Sequence, residues 1–241
     1  MVLIIGHRGA RNLWPENSLE GFRCTRELGV DAVEFDVHLA RDGELVVIHD
    51  PSLERTTGGT GPVGVRAATE LAAIGVPGLD AVLDVYVGTS IELHIEIKTD
   101  ALGRPYDGLE KRLLDVIAGR ELERQVIVTS FVPEILETVR RLAPEQRVLA
   151  SLDRRSAELF GGLPAALDRF AVIGNCMVAV EKGLLADSLD LCLRRVGGEF
   201  LGAWVPNEAD DISQWLARPI RQITTDRPDI ALAVRSGTTS P

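Results

Sequence analysis

The segment DAVEFDVHLARDGELVVIHD, Asp31 through Asp50, decides how this chain folds. In its first half, apolar Ala32, Val33, Phe35 and Val37 alternate with polar Glu34, Asp36 and His38, the period-2 signature of a strand with unlike faces. Asp42-Gly43 supplies a tight hairpin turn, because both residues tolerate positive φ. Residues 45–48 then return antiparallel to residues 37–40. A register symmetric about Asp42-Gly43 brings His49 opposite Asp36 and gathers two carboxylates and an imidazole near one point. The stretch between the charges is strongly apolar, as expected of a strand covered on both faces. Carboxylates in such a strand need a metal or cationic partners, since a lone buried charge is costly.

Outward from this hairpin, short apolar runs take turns with helical stripes. Residues 1–5 end at Gly6-His7-Arg8-Gly9, which sets an imidazole and a guanidinium at the C-terminal end of a strand. Asn17 with Glu20 fits a capping box opening a helix, and Gly29 fits its stop. Residues 91–98 repeat the two-faced pattern, His94, Glu96 and Lys98 alternating with Leu93, Ile95 and Ile97. Further strands are expected at 126–131, 148–152, 170–173, 200–205 and 220–225. Helical stripes lie between most of them, such as Ile135, Leu136, Val139 and Leu142 behind Pro133. Strands starting near residues 2, 32, 92, 126, 147, 170, 200 and 221 make eight, and eight βα units in 241 residues predict a TIM (β/α)8 barrel. Residues 45–48 are then a hairpin arm outside the barrel wall, followed by a small insertion at about 51–90. A single domain spans 1–233, and residues 234–241 form a disordered tail.

Hydrophobic residues make up 45% of the chain and charged residues 26%, ordinary for a soluble globular protein. The net charge of −10 argues against nucleic acid as a partner. It does not argue against a small phosphate ester, because a bound metal reverses the local field. No apolar run is long enough to cross a membrane, and residues 2–5 are too short for the core of a signal peptide. Cys24, Cys176 and Cys192 are odd in number and lack metal-ligand spacing, which suits reduced thiols in a cytoplasmic protein.

Active sites of such barrels lie at the C-terminal strand ends, where His7, Arg8, Glu34, Asp36, Glu96, Lys98, Ser130 and Asn207 all fall. Same-face residues on one strand are roughly 7 Å apart, so Glu34 and Asp36 can share an ion, and Glu96 from the neighbouring strand completes the set. Three carboxylates without a cysteine or a histidine pair favour Mg²⁺ or Ca²⁺ over zinc. Arg8 and Lys98 offer positive charge to a phosphoryl group. His7 and His49 can each carry a proton near neutral pH. Metal, cations and two imidazoles are the parts needed to cleave a phosphodiester.

Gly6-His7-Arg8-Gly9, Pro15-Glu16-Asn17-Ser18, Glu34-Phe35-Asp36-Val37, Val46-Val47-Ile48-His49-Asp50, Arg55-Thr56-Thr57, Glu96-Ile97-Lys98, Thr129-Ser130-Phe131 and Thr225-Asp226-Arg227-Pro228 together resemble the glycerophosphodiester phosphodiesterase family. The match runs over nearly the whole chain in order and spacing. The resemblance implies a TIM barrel and a divalent metal on Glu34, Asp36 and Glu96. It also implies hydrolysis of glycerophosphodiesters to sn-glycerol 3-phosphate and an alcohol, and with it a place in lipid and glycerol metabolism. His7 as general base and His49 as general acid follow by analogy with barrel phospholipases, and the reverse order stays open. The attacking group is water or the substrate's own glyceryl hydroxyl.

Two departures from the family pattern bear on substrate fit. Trp204-Val205-Pro206-Asn207 stands where Trp-Thr-Val-Asn is usual, and His94 stands where Asn is usual. Arg8, Lys98 and Trp204 are the expected substrate contacts, with Trp204 otherwise packing at the barrel rim. Glu16 either orients a catalytic group or makes a structural hydrogen bond. His38 and His94 are read as satisfied structural histidines, and Ser130 as a support with no base assigned to it. A lysophospholipase D-like phosphodiesterase and a non-catalytic barrel that binds phosphate esters are the alternatives. The first needs an apolar groove at the barrel mouth, and the second a lost ligand or histidine. The headgroup alcohol, the metal and the oligomeric state are left open by the sequence.

Overall fold

Eight parallel strands close on themselves in the computed structural model, which describes residues 1–237. The first half of the chain runs β1 (Leu3–His7), α1 (Leu19–Leu28), β2 (Ala32–Leu39), β3 (Leu45–Val47), α2 (Ala68–Ala72), α3 (Leu79–Val85), β4 (Glu92–Ile97) and α4 (Leu109–Gly119). The second runs β5 (Val126–Ser130), α5 (Pro133–Leu142), β6 (Arg147–Leu152), α6 (Arg154–Leu159), α7 (Leu163–Ala171), β7 (Cys176–Glu181), α8 (Lys182–Val196), β8 (Leu201–Trp204), α9 (Ala209–Leu216), β9 (Gln222–Thr225) and α10 (Pro228–Ser236). β1 pairs in parallel with both β2 and β9, which closes the ring. Among the strands, β3 pairs only with β2, antiparallel, so it is the hairpin arm and not a stave. The TIM barrel expected from the sequence is the fold.

Three apolar regions hold it together, each built from one face of the alternating strands. The largest lies between strands and helices and takes outward residues such as Val33, Phe35 and Val37 of β2 with Leu79, Leu113, Leu136 and Phe170 of the helices. A second, inside the barrel, gathers Ile127, Leu149, Met177 and Ala179 from β5 to β7. A third lies under the excursion after β3 and joins Val46, Ile48, Leu53, Val63 and Leu71. Much of the rest of the barrel interior is polar, with His94, Glu96, Thr129, Gln222 and Thr224 buried there. Its N-terminal end is closed by ion pairs of Glu92 with Arg147 (2.6 Å) and Arg221 (2.7 Å).

Several local expectations are corrected. The hairpin register is centred on Asp42, with Val37 opposite Val47 and Leu39 opposite Leu45. Ile48, not His49, therefore faces Asp36, and its N–H donates to the Asp36 carbonyl at 3.1 Å. The loop has three residues, closed by Ala40 and Glu44, with Gly43 at φ 81°. That conformation needs the glycine and shifts the pairing by one. The cap of α1 is Ser18, which accepts from the Gly21 N–H at 3.0 Å. Asn17 (φ 54°) is pulled out of that role to serve Asp36.

Phe170 to Ile173 is no strand. Leu163, Ala166, Leu167 and Phe170 form a helical stripe on α7, and the seventh barrel strand begins at Cys176 after Gly174 and Asn175 turn the chain at positive φ. α3, read as part of the 51–90 insertion, packs against α1 and puts Leu79, Val82 and Leu83 into the main core. Of the tail expected to be disordered, residues 234–236 belong to α10, Gly237 caps it, and residues 238–241 lie outside the described residues.

Candidate active site

A cavity of about 220 Å³ opens at the C-terminal ends of the barrel strands. His7, Arg8, Glu34, His49, Glu96, Lys98 and Trp204 all line it. Asp36 lies just behind them, 1% exposed. The alternation of β2 turns Glu34 and Asp36 inward, and β4 pairs Glu96 beside Asp36, so the three carboxylates meet. One oxygen from each lies within 4.8 Å of the others.

Two cations serve this cluster. Lys98 Nζ lies 2.6 Å from Glu96 and 3.4 Å from Asp36. Arg8 donates its backbone N–H to Glu34 at 3.1 Å and sets its guanidinium 3.5 Å from Asp36 and 3.3 Å from Glu16. Its backbone is left-handed (φ 50°), a conformation a non-glycine residue holds only where its surroundings impose it. The Asn17 amide donates to Asp36 at 2.9 Å. Burial opposes ionisation of Asp36, but Lys98, His49, Arg8 and Asn17 outweigh it and hold this carboxyl below the usual range. Glu34 goes the other way, because burial and the charges of Asp36 and Glu96 lift it well above that range.

The carboxylates press Lys98 and Arg8 upward despite their burial. With all three carboxylates ionised, two cations would leave one negative charge uncompensated, and that excess is part of what lifts Glu34. A hard divalent cation fits such a buried, all-oxygen donor set.

Both imidazoles are pinned through Nδ1. His7 Nδ1 donates to Asp226 at 2.5 Å, and its Nε2 lies 3.8 Å from Glu34. Asp226 also accepts from Arg11 at 2.7 Å and from the Asn207 amide at 2.8 Å. His49 Nδ1 donates to Asp50 at 2.7 Å, and Arg55 clamps Asp50 (2.6 Å) to Glu16 (2.7 Å). A carboxylate can only accept, so each imidazole keeps its proton on Nδ1 and leaves Nε2 as the available nitrogen. Burial pushes both rings below the ordinary imidazole value. For His7 the Asp226 contact works against that shift, and for His49 the nearby Asp36 does.

His49 reaches the cavity without strand pairing. β3 ends at Val47, the chain bends, and the His49 carbonyl accepts from His38 Nε2 at 3.2 Å. His38 in turn accepts from the Tyr106 hydroxyl at 2.8 Å, so it is a satisfied histidine as expected. Its burial lowers it to about 4. Ser130 donates to the Ile97 carbonyl and stays outside the cavity wall. Glu16 is resolved as an orienter of Arg8 and Arg55. Trp204 stacks edge-on against Phe131 at 5.7 Å and forms part of the wall.

Sequence reasoning gave no role to Asp226, Asp50 or Arg55 and read Asn17 only as a helix cap. All four sit inside quoted motifs, and Asp226 and Asp50 each lie just past the end of a strand, which was the available signal.

A barrel with a buried carboxylate triad, two cations and two oriented imidazoles at its mouth defines a phosphoryl-transfer class of site. Residues 7–230 match the glycerophosphoryl diester phosphodiesterase family, and the chain belongs to that family. It is 34% identical over 159 residues to a glycerophosphodiester phosphodiesterase of Caldanaerobacter subterraneus, an overlap of 61% of this chain and 65% of that one. The glycerophosphodiester phosphodiesterase structure from Agrobacterium tumefaciens superposes with a TM-score of 0.78 at 25% identity, covering 98% of this chain and 100% of the other. An Oleispira antarctica phosphodiesterase, solved with its product sn-glycerol-3-phosphate, has the same fold, with a TM-score of 0.80 at 20% identity, covering 97% and 96%. Among the described residues, no helix is long and apolar enough to cross a membrane.

Proposed function

We propose that this chain hydrolyses small glycerophosphodiesters to sn-glycerol 3-phosphate and an alcohol, using a divalent cation such as Mg²⁺ or Ca²⁺. The observation that carries this reading is the convergence of Glu34, Asp36 and Glu96 with His7 and His49 on one cavity. The Oleispira phosphodiesterase of the same fold, seen with its product, supports the substrate class. Glu34, Asp36 and Glu96 hold the cation, which supplies Lewis acidity to the phosphoryl group. Arg8 and Lys98 bind the phosphoryl oxygens and offset charge as it builds during displacement. His7 Nε2 takes the proton of the attacking hydroxyl, from water or from the glyceryl unit itself. His49 delivers a proton to the departing alkoxide. Trp204 closes one wall against the organic part of the substrate. The unpaired Cys24, Cys176 and Cys192 suit a reducing, cytoplasmic setting.

Release of glycerol 3-phosphate from glycerophosphoethanolamine and glycerophosphocholine, measured with Mg²⁺, Ca²⁺ or excess EDTA, tests this reading. Release should require the metal. Metal should also raise the melting temperature, by roughly 2.7 kcal/mol of stability at a concentration 100 times Kd. Glu34→Gln, Asp36→Asn and Glu96→Gln should each weaken that rise. Full turnover in excess EDTA, or no release with any cation, would overturn it.

A further inference from the structure

The cavity continues around and below the carboxylates, and its wall changes character there. One side is hydrocarbon, from Leu149 and Ala179. The other carries His94, Thr129 and Gln222, which are 2%, 1% and 1% exposed. Thr129 Oγ1 and Gln222 Oε1 are both buried without a hydrogen-bond partner in the protein. His94, by contrast, turns its Nε2 toward the Glu92 carboxylate, 3.8 Å away at the closed N-terminal end of the barrel.

Buried polar groups are nearly always satisfied, so two orphans around one cavity point to a ligand that satisfies them. Strand register keeps Thr129 close to the reaction, since it pairs beside Glu96. Gln222 lies over Gly202, where a Cβ would sit 2.7 Å from Gln222 Cγ, so the glycine is what makes room for this amide. Polar atoms on one wall and hydrocarbon on the other suit a small polyol, with hydroxyls on one edge and C–H groups on the other. Neither orphan group is a carboxylate that would favour a cationic alcohol here.

We infer that Thr129 and Gln222 form a specificity pocket for the free hydroxyls of the glyceryl unit, an inference that rests on the proposed reading of the chain as a glycerophosphodiester hydrolase.

The test compares glycerophosphoethanolamine with the matched ethanolamine diester of 1,2-propanediol, which lacks the terminal hydroxyl, on the Mg²⁺-loaded protein. A pocket that must leave polar atoms unpaired with the second substrate should disfavour it by about tenfold or more in kcat/KM. Thr129→Val and Gln222→Met should each shrink that ratio severalfold, whereas Thr129→Ser, which keeps the hydroxyl, should preserve it. Equal turnover of the two diesters by the unaltered protein would overturn the inference and leave the proposed activity standing. So would an undiminished ratio in both Thr129→Val and Gln222→Met, which would mean that these atoms hold water only. Turnover of neither diester would remove the proposed activity and this pocket with it.

Discussion

His7 and His49 are each held by a carboxylate on Nδ1, yet the two pairs come from very different parts of the molecule. His7 ends β1 and meets Asp226, which follows β9, so the pair joins residues 219 positions apart. Its side chains are 11% and 1% exposed. His49 meets its own neighbour Asp50 on the excursion after β3, and those side chains are 29% and 24% exposed. One imidazole is thus oriented by the closed wall of the barrel. The other is oriented by a surface segment that Arg55 ties back to Glu16. The same local chemistry therefore rests on barrel closure in one case and on an exposed clamp in the other.

The strongest way to separate the two is by leaving group. A nitrophenyl diester departs without protonation, while ethanolamine or choline does not. His49→Ala should lose on the order of 10²–10⁴-fold with the natural alcohols and recover most activity on the nitrophenyl ester. His7→Ala should stay poor on both, because the attacking hydroxyl still needs a base. Rescue of His7→Ala in place of His49→Ala, read from steady-state kinetics, would reverse the two roles.

Removing the orienting carboxylates should expose the structural contrast. Asp226→Ala strands His7, Arg11 and Asn207 in a buried setting, and should cost about 3 kcal/mol of stability. Asp226→Asn should lower kcat by on the order of 10²-fold, since an amide cannot hold the imidazole as a carboxylate does. Asp50→Asn should cost roughly tenfold in kcat and little stability, because exposed ion pairs contribute little. Equal losses of stability from Asp226→Ala and Asp50→Ala in urea melts would erase the distinction.

The support of His49 also carries a pH signature through His38 of β2. Its folded value of about 4 lies below the ordinary imidazole value of 6.5, because burial disfavours the charged ring. The unfolded chain therefore binds the extra proton first. The stability this provides is full above pH 6.5, is lost as pH falls toward 4, and amounts to about 3 kcal/mol. His38→Gln should flatten urea-melt stability over that interval, and an unchanged slope would show that His38 does not titrate on unfolding.

The smallest effect is expected at Arg55, whose side chain is 46% exposed. Arg55→Ala should slow turnover of natural alcohols a few-fold and leave the nitrophenyl ester and the melting temperature nearly unmoved. A slowing common to both substrates would mean that Arg55 acts through Glu16 and Arg8 instead of His49.

Much of this molecule is legible without coordinates where its cause is local. Period-2 alternation in residues 32–38 and 92–97 places Glu34, Asp36 and Glu96 on inward faces, because side chains on a strand must point to opposite sides. Stops such as Gly29 at φ 76° follow from the backbone freedom of one residue type. Eight alternating units then leave few ways to bury their faces other than a closed barrel. Where a local signal has two readings, the sequence misleads. Phe170 to Ile173 has strand-like composition, yet the spacing back to Leu163 wins because the helix can bury Phe170 and Leu167 together.

Only the tertiary structure decided which partners those inward groups take. Nothing local brings Asp226 to His7, Asn17 to Asp36, or Gln222 over Gly202. Each contact depends on β9 lying between β8 and β1, or on a loop held in left-handed backbone, and closure is a property of the whole ring. The hairpin makes the point at a single residue. Composition announces the turn at Asp42-Gly43, but a three-residue loop with Gly43 at positive φ moves the register by one. His49 then enters the cavity through a bend fixed by His38, a residue eleven positions away that packs against Tyr106 from another loop. Identity and face are set by the chain's own stereochemistry, whereas register and partner are set by what the rest of the barrel leaves room for.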